Sequence, residues 1–229
     1  MKLQKVTKNA TAGLRWYDDA CGAALALELV GERWALLVMR ELMFGPRRFG
    51  QIRAHLPGVS ANVLTQRLEG LEAHGVLRRT TLAPPASVPV YELTPWGYEA
   101  EPILQTMGRW AARSPAHDPS LPLSPASTML SLRTMLDMKR AATLCARIAF
   151  RFPDDAFVAD LSDGELSIRR GETADADVTF SGGTTALVRV FYGKRAIAEE
   201  ELTVAGDPEI AGRFIGLFAL PPKVEGDTR

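Results

Sequence analysis

Leucines recur at helical spacing within residues 59–75, at Leu64, Leu68 and Leu71, and the positions between them are polar or small. At about 100° per residue the three leucines share one narrow stripe, with Asn62, Gln66, Glu69 and Ala73 opposite and Thr65 on the flank. Ser60 is suited to cap the start, and Gly75 to end the helix in the left-handed region. The spacing predicts one amphipathic helix whose outer face is small and rich in amides. Upstream, Phe49, Ile52 and Leu56 at i, i+3 and i+7 predict a short helix, and Pro57-Gly58 a tight turn between the two. Downstream, residues 76–82 and 88–93 are β-rich runs around Ala83-Pro84-Pro85-Ala86-Ser87, a hairpin fed directly by the second helix.

Residues 20–30, rich in Ala and Leu and ended by Gly31, read as an earlier helix. Residues 33–44 read as another, with Trp34, Leu37, Val38 and Leu42 on one face and Trp34 as a core anchor. After the hairpin, Thr94-Pro95 opens a helix in which Trp96, Ala100, Ile103, Met107 and Trp110 form a heptad stripe. Pro102 is expected to kink it. The stripe is more apolar than a small domain can cover, which assigns Trp96, Ile103, Met107 and Trp110 to a dimer interface; packing against the first helix is the alternative.

Four prolines in residues 114–127 predict a semi-rigid, extended linker. Beyond it the pattern predicts a helix over 127–138 and strands over 143–152, 157–161, 165–169 and 176–181. A helix over 184–192, a strand over 202–205 and a last helix to residue 218 complete it. The fold class expected is α+β, an N-terminal winged helix-turn-helix domain followed by an α+β layer with helices on one face. The divisions are an arm at 1–19, the winged domain at 20–113, a linker at 114–126 and a second domain at 127–222.

A chain of 229 residues is long enough for two cores. No apolar run approaches the roughly 20 residues of a membrane span, and Met1-Lys2-Leu3-Gln4-Lys5 leads into polar residues, so a cytoplasmic protein without a membrane partner is expected. The formal net charge is zero, but it divides near Pro115 into +4 before and −4 after. The cationic part is suited to DNA, and the acidic part should face away from it. Asn and Gln can pair bidentately with adenine in the major groove, so Asn62, Thr65 and Gln66 are the candidate base readers. Ser60, Arg47, Arg48, Arg67, Arg78 and Arg79 are the candidate phosphate contacts. His55, His74 and His117 are scattered, with no motif of a hydrolase, metalloprotein or nucleotide binder. Neither a catalytic residue, a metal nor a cofactor is therefore expected. Cys21, near a helix start, is either a small structural cysteine or a redox-active thiol.

The run Gly-Glu-Arg-Trp-Ala-Leu-Leu-Val-Met-Arg-Glu-Leu at 31–42 is followed by Gly45-Pro46-Arg47-Arg48-Phe49, Leu56-Pro57-Gly58-Val59-Ser60, Leu64-Thr65-Gln66-Arg67-Leu68, Leu71-Glu72 and Tyr91-Glu92-Leu93-Thr94. With these, residues 21–113 resemble the HxlR-type winged helix-turn-helix regulators. The resemblance implies a bacterial transcription regulator, usually a homodimer on double-stranded DNA, with paired recognition helices in successive major grooves. It also implies that Cys21 could sense oxidants, as a cysteine in this region does in some members. Cys21-Gly22 departs from the Cys-Pro of many relatives, and Asn62 from a frequent lysine. Residues 175–180, Val204-Ala205-Gly206-Asp207 and 214–218 resemble the sterol-carrier-like domain appended to some of these regulators. That likeness implies an apolar effector pocket walled by Phe191, Ile197, Ile210, Phe214 and Phe218, with a filled core as the alternative. The reading is a homodimeric repressor; the other classes are a lipid carrier using the winged part for assembly, a redox regulator, and an enzyme built on the C-terminal domain.

Overall fold

In the computed structural model, which describes residues 17–225, the chain opens with four helices. They are α1 (Gly22–Val30), α2 (Ala35–Leu42), α3 (Phe49–Ala54) and α4 (Ala61–Ala73). All but the last three residues of the expected N-terminal arm lie outside the described residues. Leu64, Leu68 and Leu71 are buried as their spacing requires, and Ser60 caps α4 by accepting from the Val63 N–H at 3.3 Å. Gly75 takes φ +71 just beyond α4, a conformation that turns the chain at once into strand β1 (Leu77–Thr81). The partner strand β2 (Pro89–Leu93) runs antiparallel, Leu77 opposite Leu93, and Arg47 adds a one-residue bridge to Tyr91.

Two local expectations need correction. Trp34 does not lie inside α2: it precedes it, half-buried with φ +79, and the buried face of the helix is Ala35, Val38, Met39 and Leu42, while Leu37 is exposed. Nor does Pro102 kink one long helix. The chain forms α5 (Pro95–Tyr98), turns, and restarts as α6 (Glu101–Ala112) with Pro102 in its first turn, where the missing N–H costs nothing. Gly97 is required where α5 crosses the hairpin base, since a Cβ there would stand 2.1 Å from the Val76 carbonyl oxygen.

The second half contains α7 (Pro125–Met135), α8 (Met138–Ala141), β3 (Ala146–Arg151), β4 (Ala156–Ser162), β5 (Glu165–Arg170) and β6 (Val178–Gly182). It ends with α9 (Thr184–Phe191), a 3-10 turn (Ile197–Glu199), β7 (Leu202–Gly206) and α10 (Pro208–Ile215). The sheet order is β5-β4-β3-β6-β7. It is no simple meander, because β6 lies parallel to β3 and the chain must cross from the β5 edge to reach it. Phe150 and Phe180 on the sheet meet Phe191 and Phe214, which in turn meet Phe218, with ring centroids 5.0 to 6.5 Å apart. Phe191, Phe214 and Phe218 therefore fill a core instead of walling a pocket, and Ile197 and Ile210 are half-buried at its margin. Rings of this size gain more from one another than from an empty interior.

The segment at 114–126 is not an extended spacer. Its end is folded: Ser124 caps α7, accepting from the Ser127 N–H at 3.0 Å, and Pro125 and Ala126 are buried. The apolar core runs unbroken from Val38 and Leu42 through Met129 and Leu132 to the phenylalanine cluster, so the two halves pack as one body.

Candidate nucleic-acid interface

Because α4 buries its leucines on α2, it turns Asn62, Thr65 and Gln66 outward, and all three are exposed. Ser60, exposed at the helix start, spends its oxygen lone pair on the cap and keeps a hydroxyl proton to donate. Arg48 and Arg53 are exposed at the two ends of α3, and Arg79 is exposed on β1. Arg78 is exposed too, but its Nε lies 2.7 Å from Glu92 across the hairpin, a pair that a phosphate must compete with.

Two arginines assigned to phosphates are elsewhere. Arg47 is only 4% exposed and is ion-paired with Asp155 of the second half, so it is withdrawn from any DNA surface. Arg67 is half-buried and held by Glu32 at 3.0 Å, which ties α4 to the turn before α2. In both cases a carboxylate distant in sequence has claimed the cation.

The junction behind the helix-turn-helix carries a buried polar network that sequence reasoning missed. Glu41 on α2 is fully buried; its Oε1 accepts from Arg40 at 2.9 Å and from the Ser124 hydroxyl at 2.7 Å, and its Oε2 lies 3.3 Å from His55 Nδ1. His55 Nε2 is 2.8 Å from Asp154. Burial pushes the Glu41 carboxyl up, but His55, Arg40 and Ser124 together hold it below the usual range. The Glu41 carboxylate, 3.3 Å away, raises His55 above its ordinary value against its own burial, with Asp154 adding to the rise. A raised folded value means that the His55 contribution is complete below about pH 6.5 and is lost as pH climbs through the folded value. In urea denaturation the stability advantage of the wild type over His55→Gln is expected to shrink as the pH rises above about 6.5; a difference that stays level removes the charged role. The only sequence signal was a carboxylate on the flank of an apolar helix face.

The other feature is apolar. α1 has no buried residue, and Leu25 and Leu27 on it are exposed. Trp96, Ile103, Met107 and Trp110 are exposed as well, Trp110 by 75%, although Trp96 now sits on α5 and the others on α6. Cys21 precedes α1 with an exposed thiol, drawn below its ordinary value by the backbone N–H groups of Ala23 and Ala24. Among the described residues no cluster of three His, Cys, Asp or Glu could hold a metal, and no helix is long and apolar enough to cross a membrane.

Residues 29–118 match the HxlR-like helix-turn-helix family, and residues 120–223 match the alkyl sulfatase C-terminal family. The chain is 39% identical to an HTH-type transcriptional regulator of Synechocystis sp. over 38% of its own length and 64% of that protein's. It is 38% identical to the regulator YvaP of Bacillus subtilis, covering 38% of this chain and 80% of the relative. Against the B. subtilis regulator YodB the identity is 35%, over 38% of this chain and 77% of the relative. Among solved structures, the sec-alkylsulfatase Pisa1 of Pseudomonas sp. aligns with TM-score 0.39 and 24% identity, over 42% of this chain and 16% of that enzyme. The sterol-carrier-like expectation is thus met only as an α+β domain, and the family matched there takes its name from an enzyme.

Proposed function

Because the chain belongs to the HxlR-like helix-turn-helix family of transcriptional regulators, we propose that it binds double-stranded DNA as a homodimer and represses the promoters it occupies. The observation that carries this reading is the outer face of α4, where Asn62, Thr65 and Gln66 stand exposed above a buried leucine stripe. These three read base edges, while Ser60, Arg48, Arg53, Arg78 and Arg79 contact phosphates. The dimer contact uses the exposed apolar residues of α1, α5 and α6, which water covers poorly in a single chain. A two-fold pair then presents its α4 helices to half-sites about 34 Å apart. The C-terminal domain packs against α2 through a shared apolar core, with no catalytic step assigned to it.

Selection of bound sequences from a random DNA pool tests this. An inverted repeat is expected, and Gln66→Ala is expected to lose about 1–3 kcal/mol of discrimination at one adenine position per half-site. No enriched sequence, or the same preference in Gln66→Ala, would remove the assignment.

A further inference from the structure

Between the two domains lies a cavity of about 530 Å³, walled by α2, α6 and α7. Leu36, Leu37, Leu104, Met107, Leu130 and Met135 make its lining chiefly apolar. The volume is that of a site for a small organic molecule and far below that of a folded partner. Its polar groups leave positive charge to spare. Glu32 at the edge is already paired with Arg67. Arg33 lies over the Trp34 ring, 5.2 Å from its centroid, with no carboxylate in ion-pair range among the described residues. Arg40 gives Nε and Nη2 to Glu41 and keeps Nη1 without a partner among the described residues.

We propose that this cavity binds a small amphipathic organic anion, its apolar body against Leu37, Leu130 and Met135 and its acid group at Arg33 and Arg40. A carboxylate and a sulfate offer a guanidinium the same acceptor oxygens, so the head group is either of the two.

A separate observation ties the cavity to α4. Trp34 is in its wall and holds φ +79, a backbone region that is costly for a bulky residue. The end of its ring stands 3.9 Å from where a Cβ on Gly58 would lie, in the turn between α3 and α4. A second cavity, of about 500 Å³, continues past Trp34, Leu37 and Arg40 to Leu56 and Pro57 of that same turn. An occupant that displaces Trp34 therefore shifts the support of α4. This coupling rests on the DNA-binding reading; the binding of the anion does not.

The test is titration of the full chain, without DNA, by tryptophan fluorescence, since Trp34 and Trp110 line the cavity. The probes are octanoate, octyl sulfate and 1-octanol. Saturable binding of one or both anions is expected, stronger than that of the alcohol by about tenfold, the equivalent of one charge-assisted bond. The head group is named by whichever anion binds more tightly. Arg33→Ala, a surface change, is expected to erase the preference for anions, and Leu130→Trp to fill the cavity and abolish binding. Equal affinity for anion and alcohol, saturable binding that survives Leu130→Trp, or no binding at all overturns the proposal. So does binding that appears only in a monomeric Ile103→Asp chain, which would mean that a second copy occupies the cavity. Because no DNA is present, failure here is distinct from failure to find an operator.

Discussion

Replacing Asp155 by alanine is expected to destabilise the protein by about 3–5 kcal/mol, the usual cost of removing one partner from a buried ion pair. The case is stronger than a simple pair, because this carboxylate serves two cations. Its Oδ2 meets Arg47 and its Oδ1 accepts from Arg170 Nε at 2.9 Å; the side chains of Asp155 and Arg47 are 3% and 4% exposed. Arg170 also donates to the Phe44 carbonyl oxygen at 2.9 Å and lies over the Phe157 ring. Its guanidinium is pulled down first by burial and then by the charge of Arg47, so two cations already crowd each other. Without Asp155 the two cations lose the carboxylate that bridges them. Arg47→Met should cost less, since Arg170 then still neutralises the carboxylate. In urea unfolding the wild type is expected to show one transition, because Arg47 belongs to the winged half and Asp155 to the sheet half of one continuous core. An Asp155→Ala protein as stable as Arg47→Met, or two separate wild-type transitions, contradicts this account.

The same arginine marks the limit of what the sequence discloses. Arg47 and Arg48 are adjacent and chemically identical, yet one is buried and the other exposed, because the extended backbone at Arg47 pairs with Tyr91 and turns its side chain toward Asp155, 108 residues away. Local pattern contains no information about such a partner. The helix-turn-helix was legible for the converse reason: Leu64, Leu68 and Leu71, the Ser60 cap and Gly75 are all set within a few residues, where periodicity and capping decide the outcome. The strands of the second half were readable as alternations, but the parallel pairing of β3 with β6 joins segments about 30 residues apart and leaves no local trace. Phe191, Phe214 and Phe218 were identifiable as interior residues; whether they filled or lined that interior depended on Phe150 and Phe180, which only the folded sheet brings against Phe191 and Phe214. Pro102 was correctly seen as a disruption, and a restart satisfied it at lower cost than a kink.

Ile103→Asp is expected to convert the protein to monomer in sedimentation and to weaken binding to a full operator by about 10²-fold or more, the gain that linkage of two binding modules ordinarily supplies. Ile103 is 51% exposed on α6, near Met107 and Trp110 on the same helix, and it is not among the residues lining the cavity behind. A carboxylate placed there costs little in a single chain, where water reaches it, but it would be desolvated without a partner inside a two-fold apolar contact. The design separates two causes of lost binding. If α4 remains intact, the variant should hold an isolated half-site as well as one wild-type subunit does, and its unfolding midpoint should be unchanged. Parallel loss on half-site and full site would place the damage in the fold of the winged domain. A variant that stays dimeric would remove Ile103 from the contact and leave the two-fold pairing to other exposed apolar residues, such as Leu25 and Leu27 of α1.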